Sequence, residues 1–142
     1  MKERVCCVIG SAEATRSALK EAMLEAVTDG INCFETDIGS GVAPLCAEIM
    51  GEIREKLGQP LSFVAVLSRG QPEAYNGEVA ACCDAIAIYD PDTSGERSIG
   101  HYMIAGSERV IFTSLDLVEL NYAGLLKKDV RFSDSVVGEG LL

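Results

Sequence analysis

Short apolar runs alternate along this chain with segments that have helical periodicity, and this alternation constrains the fold more than any other feature. The runs have the length and composition of strands buried on both faces, and they cover residues 4–10, 31–37, 61–68, 84–89 and 109–113. The segments between them predict helices, the clearest being residues 13–28 and 42–57. Strands that alternate with helices form parallel sheets covered on both faces. The sequence therefore predicts an α/β fold, a Rossmann-like three-layer sandwich with a mainly parallel five-stranded sheet.

The chain is expected to form one domain over residues 1–142, because it contains no repeat and no change of composition that would mark a boundary. Residues 115–142 have a weaker pattern, which predicts one helix to about residue 128, a marginal edge strand near residues 130–132 and a frayed tail. Ser11 is predicted to cap the first helix. The side chains expected in the core of the sheet are Val8, Phe63, Val64, Val66, Ile86, Ile88 and Ile111.

The net charge of the chain disfavours some classes of binding partner. Twelve Lys and Arg against 22 Asp and Glu give a formal net charge of -10, which repels phosphate backbones and anionic lipid surfaces. Nucleic acids and membranes are therefore not expected as partners. No apolar stretch approaches the roughly 18 to 20 residues that span a bilayer, and the chain enters its first strand without a long apolar signal region. We expect a cytoplasmic protein.

The six cysteines lie among apolar residues inside predicted elements, where a reducing compartment would keep them as small hydrophobic groups. They are Cys6, Cys7, Cys33, Cys46, Cys82 and Cys83. Adjacent residues point to opposite faces of a strand and lie 100° apart on a helix. Neither of the adjacent pairs, Cys6-Cys7 and Cys82-Cys83, can therefore easily bind one metal ion together. We predict no metal site and no cofactor.

The loops at the carboxyl ends of the strands are the candidate ligand site, because ligands of open parallel sheets bind beyond those ends. The candidate binding residues in these loops are Gly10, Ser11, Gly39, Ser40, Gly41, Arg69, Gln71, Arg97 and His101. The turn Gly39-Ser40-Gly41 opens a helix, where backbone N–H groups and the helix dipole can hold a phosphate. It matches neither the dinucleotide fingerprint nor the P-loop, and short glycine turns are also ordinary joints of this architecture.

An anionic ligand would need a local positive group in so acidic a chain. Arg69 is the best placed by sequence because it follows the third strand directly, and Arg97 is the second candidate. We predict a phosphate or sulfate at the start of the helix near Val42, contacted by the N–H groups of residues 39–42 and reached by Arg69 or Arg97. His101, the only histidine, could also meet a phosphate, although a single histidine more often caps a helix or faces water.

Several short motifs along residues 5–113 together resemble those of YpsA-like proteins, which belong to the SMF/DprA–LOG (SLOG) superfamily. The resemblance lies in the strand and turn of residues 7–10, the segment 36–48, Gly70-Gln71 with Tyr75, Cys83-Asp84, and residues 101–103 with Ser107-Glu108. It implies a Rossmann-like fold, a pocket for nucleotides or their derivatives, and a homodimer.

The chain also departs from the family pattern where a ligand would be gripped. Ser11-Ala12 replaces a His-Arg pair, Ala43 replaces an Asp and Leu45 an aromatic residue. The Pro-Gly-Gly-x-Gly-Thr-x-x-Glu run of the LOG-type phosphoribohydrolases does not occur in the sequence. Glu48 aligns with a family glutamate, but helical periodicity points it at solvent.

Three functions therefore stay open. The leading expectation is a small-molecule binding or sensor domain for a nucleotide or a nucleotide-derived ligand, supported by the glycine loop. A degenerate interaction module without a ligand is supported by the missing polar groups. An enzyme that hydrolyses a nucleotide or nucleoside is the third and weakest alternative.

Overall fold

The computed structural model describes residues 2–11 and 15–133, and in these ranges the chain has an α/β fold. The strands are β1 (Val5–Ile9), β2 (Cys33–Asp37), β3 (Ser62–Ser68), β4 (Ala85–Tyr89), β5 (Arg109–Phe112) and β6 (Asp129–Phe132). The helices are α1 (Arg16–Thr28), α2 (Ala43–Leu57), α3 (Gly77–Cys82), α4 (Ile99–Ala105) and α5 (Leu117–Leu125), with a 3₁₀ turn at Pro72–Ala74.

One sheet contains all six of these strands in the order β4-β3-β2-β1-β5-β6, and each neighbouring pair is parallel. The chain builds outward from β1 to β4, crosses back to β5 beside β1, and ends the sheet at β6. The Rossmann-like α/β sandwich predicted from the alternation of strands and helices is therefore confirmed. The predicted number of strands is too low, because β6 pairs fully with β5.

Two apolar layers hold the sheet between the helices. Successive side chains of a strand point to opposite faces, so in β1 Cys6 and Val8 pack toward α1, α2 and α3, while Cys7 and Ile9 pack toward α4 and α5. Pro44 lies in the first turn of α2 and Gly58 follows its last residue in a left-handed conformation with φ of 62°, which is why this helix begins and ends where the sequence predicts.

The expected core is only partly confirmed. Val8, Phe63, Val66 and Ile111 are buried. Val64 is half-buried, and the predicted burial of Ile86 and Ile88 is wrong, since these side chains are 39% and 51% exposed. The reason is that β4 forms one edge of the sheet and pairs with β3 alone.

The start of α1 also differs from the prediction. The helix begins at Arg16 with Thr15 in the N-cap position, so Ser11 is not the cap. Its backbone N–H instead donates to Ser114 Oγ at 3.2 Å, across to the loop after β5. The predicted tail beyond residue 133 lies outside the described residues.

All six cysteines are free; the first four along the chain are buried, Cys83 is half-buried and Cys82 is exposed. Within residues 2–11 and 15–133, no helix has the length and apolar character needed to cross a membrane.

Candidate functional site

A crevice opens where the connections leave β1 and β5 toward opposite faces of the sheet, the position where open α/β sheets bind ligands. We call it the β1/β5 crevice, and it encloses about 340 Å³. Its lining consists of Val8, Ile9, Gly10, Ser11, Asp37, Ser40, Ser98, Ile99, Gly100, Met103, Ser114, Asp116 and Glu119. Of the predicted site residues, the structure brings Gly10, Ser11 and Ser40 together here.

Gly10 allows the two loops to approach each other. Its φ is 143°, a conformation that side chains with a Cβ rarely adopt, and a Cβ there would lie 2.1 Å from Thr113 Oγ1 and 2.8 Å from Ser114 N. The Thr113 hydroxyl donates to the carbonyl of Ser11 at 3.2 Å. Gly10 therefore has a structural role at the floor of the crevice, independent of any ligand.

Asp37 organises the turn before α2. Its Oδ1 accepts the Gly39 N–H at 2.9 Å, and its carbonyl accepts the Ser40 N–H at 3.0 Å and the Ser40 hydroxyl at 2.8 Å. Burial raises the pKa of Asp37, and the bond from Gly39 partly opposes that rise. Two of the N–H groups predicted to hold a phosphate are thus already bonded, and a carboxylate lies beside them.

The crevice offers acceptors and hydroxyl groups to a ligand. Three carboxyl side chains and four serines belong to its lining, whereas no Lys or Arg is among the described residues that form it. An anion would be repelled in such a site, whereas ligand hydroxyl or amino groups would find hydrogen-bond acceptors.

A second cavity of about 380 Å³ adjoins the crevice, and we call it the β3 cavity. It is lined by Asp37, Gly39, Ser68, Gln71, Ala74, Tyr89, Pro91, Arg97, Ser98 and Ile99, and it shares Asp37, Ser98 and Ile99 with the crevice. The predicted residues Gly39, Gln71 and Arg97 meet here. Arg97 is the only Lys or Arg among the described residues of that lining, so positive charge lies to one side of the crevice.

Arg69 does not reach either cavity. Its guanidinium pairs with Asp90 at 2.8 Å, and the side chain is 72% exposed. A backbone N–H from Asp92 and this arginine lower the pKa of Asp90. Gly41 also lines neither cavity. The predicted reach of Arg69 to the start of α2 is therefore not found.

His101 is buried between α4 and α5 rather than exposed at a loop. Its Nδ1 lies 2.9 Å from Glu119 Oε2 and 3.0 Å from Ser98 Oγ, and its ring stacks on Tyr122 with centroids 3.8 Å apart. The Ser98 hydroxyl donates to Glu119 Oε1 at 2.9 Å and accepts the backbone N–H of His101 at 3.0 Å. We call Ser98, His101 and Glu119 the His101 cluster.

The His101 cluster does not have the geometry of a nucleophile activated by a base. In such a relay the serine and the acid bind different ring nitrogens, whereas Ser98 and Glu119 both meet Nδ1. The cluster instead joins α4 to α5. Glu48, which aligns with a family glutamate, is exposed, as its periodicity predicts, and its carboxylate pairs with Arg16 at 3.0 Å.

Sequence reasoning missed Ser98, Asp116 and Glu119 as members of the crevice. Asp116 could have been found, because it caps α5 by accepting the Glu119 N–H at 3.1 Å and therefore lies at a helix start. Glu119 gives no such signal, because the sequence rules predict that a glutamate inside a short helix has an exposed side chain.

No family model and no curated protein matches this chain, so the resemblance to the SLOG superfamily stays a prediction. Within residues 2–11 and 15–133 no group of three or more His, Cys, Asp or Glu side chains is arranged to hold a metal ion.

Proposed function

We propose that this domain binds a nucleotide-derived small molecule, with the hydroxyl-bearing nucleoside portion of the ligand in the β1/β5 crevice. The observation that carries the proposal is the composition of that crevice. It lies at the switch point of the sheet, combines Asp37 with serine hydroxyls, and has no cation among its described lining residues. A binding or sensor domain of SLOG type accounts for these features.

Asp37 is the residue that we propose to bind ribose. Rossmann domains that bind dinucleotides use an acidic residue downstream of the first glycine turn to hydrogen-bond ribose hydroxyls. Asp37 ends β2, downstream of Gly10, and lines both cavities. One of its oxygens is bonded to Gly39, which leaves the second as an acceptor for a ligand hydroxyl.

Arg97 is the residue that we propose to bind a ligand phosphate. The acidic crevice disfavours an anion, whereas Arg97 lines the adjoining β3 cavity with Gln71 and Ser68. A guanidinium offers donors that match phosphate oxygens. A nucleotide would then lie across both cavities, with its sugar at Asp37 and its phosphate at Arg97.

The same proposal extends to the setting of the protein. The six free cysteines support a reducing compartment, the cytoplasm. The net charge of -10 supports a protein whose partners are neither nucleic acids nor membranes.

Calorimetry with nucleosides, matched nucleotides and inorganic phosphate tests this function. Replacement of Asp37 by Asn keeps the acceptor for Gly39 but removes the charge, and we expect it to weaken nucleoside binding about tenfold or more. Arg97→Gln should remove the preference for the nucleotide over its nucleoside. Arg69→Gln is the matched control, because Arg69 contacts neither cavity, and it should leave both affinities unchanged.

Two results would contradict the proposal. If no nucleoside or nucleotide binds the folded protein, the degenerate interaction module is the better description. If a ligand binds but Asp37→Asn has no effect, the site lies elsewhere.

A further inference from the structure

The outward side of α5 is apolar, whereas a surface helix usually carries polar and charged residues on that side. Leu117, Val118 and Leu125 are 68%, 69% and 71% exposed, whereas Glu119 on the opposite side is buried. At 100° per residue these three side chains fall on one stripe whose centre is Asn121 and which also includes Gly124. We call Leu117, Val118, Asn121, Gly124 and Leu125 the outer α5 face.

From this face we infer that a second copy of the chain binds there, with the two α5 helices antiparallel about a two-fold axis at Asn121. A two-fold interface must be self-complementary, and the outer α5 face meets that condition. Leu117 lies four residues before Asn121 and Leu125 four residues after it, so the axis brings Leu117 of one copy against the partner's Leu125. By the same symmetry Asn121 meets its own copy, where two amides can hydrogen-bond.

Val118 and Gly124 complement each other in size. They lie three residues on either side of Asn121, so the axis also brings them together. No atom lies within 4 Å of the position that a Cβ on Gly124 would occupy. This open space over the helix backbone accepts the branched side chain of Val118 from the second copy.

The charges at the two ends of α5 favour the antiparallel arrangement. Asp116 lies at the amino end of the helix and Lys127 just beyond its carboxyl end, and both residues are exposed. Antiparallel packing brings the Asp116 of each copy near the Lys127 of the other, and the two helix dipoles also oppose each other. Parallel packing would instead bring like charges together.

The size of the surface indicates a concentration-dependent dimer. A helix of nine residues is only about 14 Å long, and a standard interface buries about 800 Å² on each partner. None of the five residues of the outer α5 face lines the crevice or the β3 cavity. Four of them, Leu117, Val118, Asn121 and Leu125, line a separate groove of about 810 Å³ together with Arg97, so a second copy on this face would lie beside the residue proposed to bind phosphate.

Sedimentation velocity from micromolar to millimolar concentration tests the interface. The unmodified chain should show a monomer–dimer equilibrium, and Leu125→Glu should weaken dimerisation by more than about tenfold. Ile88→Glu is the matched control, since it places the same charge on another exposed apolar side chain, at the edge strand β4. It should leave the equilibrium unchanged. Circular dichroism checks that both variants fold.

A cysteine placed at the axis supplies a second, independent measurement. In a Cys82→Ser background, Asn121→Cys should form an intermolecular disulfide under mild oxidation roughly tenfold faster than Glu55→Cys, an exposed position on α2. A chain that stays monomeric throughout, a dimer that survives Leu125→Glu, or equal rates for the two cysteines would each overturn the inference.

Discussion

Replacement of Gly10 by Ala should destabilise the protein strongly, although it adds a single methyl group. Two effects combine at this position. The φ of 143° is unfavourable for any residue with a Cβ, and the added Cβ would lie 2.1 Å from Thr113 Oγ1 and 2.8 Å from the backbone N of Ser114. The hydroxyl can rotate away, but the backbone atom can move only if the loop after β5 shifts.

The magnitude follows from these two contributions. A residue held in a sparsely populated backbone region costs about 1–3 kcal/mol, and insertion of a methyl group into filled space costs about 1–3 kcal/mol. We therefore expect Gly10→Ala to lower the free energy of unfolding by about 2–6 kcal/mol. The same shift should loosen the β1/β5 crevice, because Thr113 and Ser114 link the two loops that form it.

Urea denaturation of the variant and of Gly51→Ala gives the measurement and its control. Gly51 lies within α2, and a Cβ there would have no atom within 4 Å. Ala is favoured over Gly in a helix, so Gly51→Ala should stabilise the protein by about 0.5–1 kcal/mol. If Gly10→Ala unfolds at the same free energy as the unmodified protein, the close approach of the two loops does not exist.

Three further results are expected. Burial is the larger cause and the charge of Glu3 the smaller cause that raise the pKa of Glu35 from an ordinary value of 4.5 to about 7. As the pH rises, the Glu35 carboxyl therefore loses its proton later in the folded protein than in the unfolded chain. The free energy of unfolding should therefore fall between about pH 4.5 and 7, and Glu35→Gln should remove about 1–3 kcal/mol of that fall in urea titrations at several pH values. An unchanged pH profile would contradict the burial of this carboxyl. A thiol reagent at pH 8 should modify the exposed Cys82 rapidly and the four buried cysteines only after unfolding, with six thiols in total under denaturing, non-reducing conditions; a lower total would indicate a disulfide. Glu119→Ala removes the acceptor from His101 inside the protein and should lower the free energy of unfolding by about 2–4 kcal/mol in urea, whereas a change below about 0.5 kcal/mol would mean that the cluster contributes nothing.

The sequence predicts the strands of this fold well because their apolar composition is a local property. The order of the strands in the sheet depends on contacts between distant parts of the chain, and the errors in predicted burial and strand number arise from that order. Ile86 and Ile88 have the pattern of a central strand, yet β4 is an edge and both side chains are partly exposed. Residues 130–132 have a weaker pattern, yet β6 is a full member of the sheet because β5 provides its partner.

The candidate site divides in the same way. The rule that ligands bind beyond the carboxyl ends of parallel strands correctly predicts that Gly10, Ser11 and Ser40 lie together. Side-chain direction is not in the sequence, so Arg69 was expected to turn toward the start of α2 although it pairs with Asp90. His101 is expected to meet a phosphate, to cap a helix or to face water, whereas Glu119, distant in sequence, holds its ring between α4 and α5.

The position of β1 in the centre of the sheet has a consequence for the folding of the chain during its synthesis on the ribosome. Strands β1 to β4 can pair as they emerge, since each lies beside its predecessor, but the other edge of β1 has no partner until β5 has been synthesised. The nascent chain therefore carries an open strand edge, a surface that invites pairing with other chains. When β5 and the loop after it are made, they close that edge and complete the β1/β5 crevice in the same event. A product truncated before β5 would therefore lack the candidate site and would also expose an aggregation-prone edge.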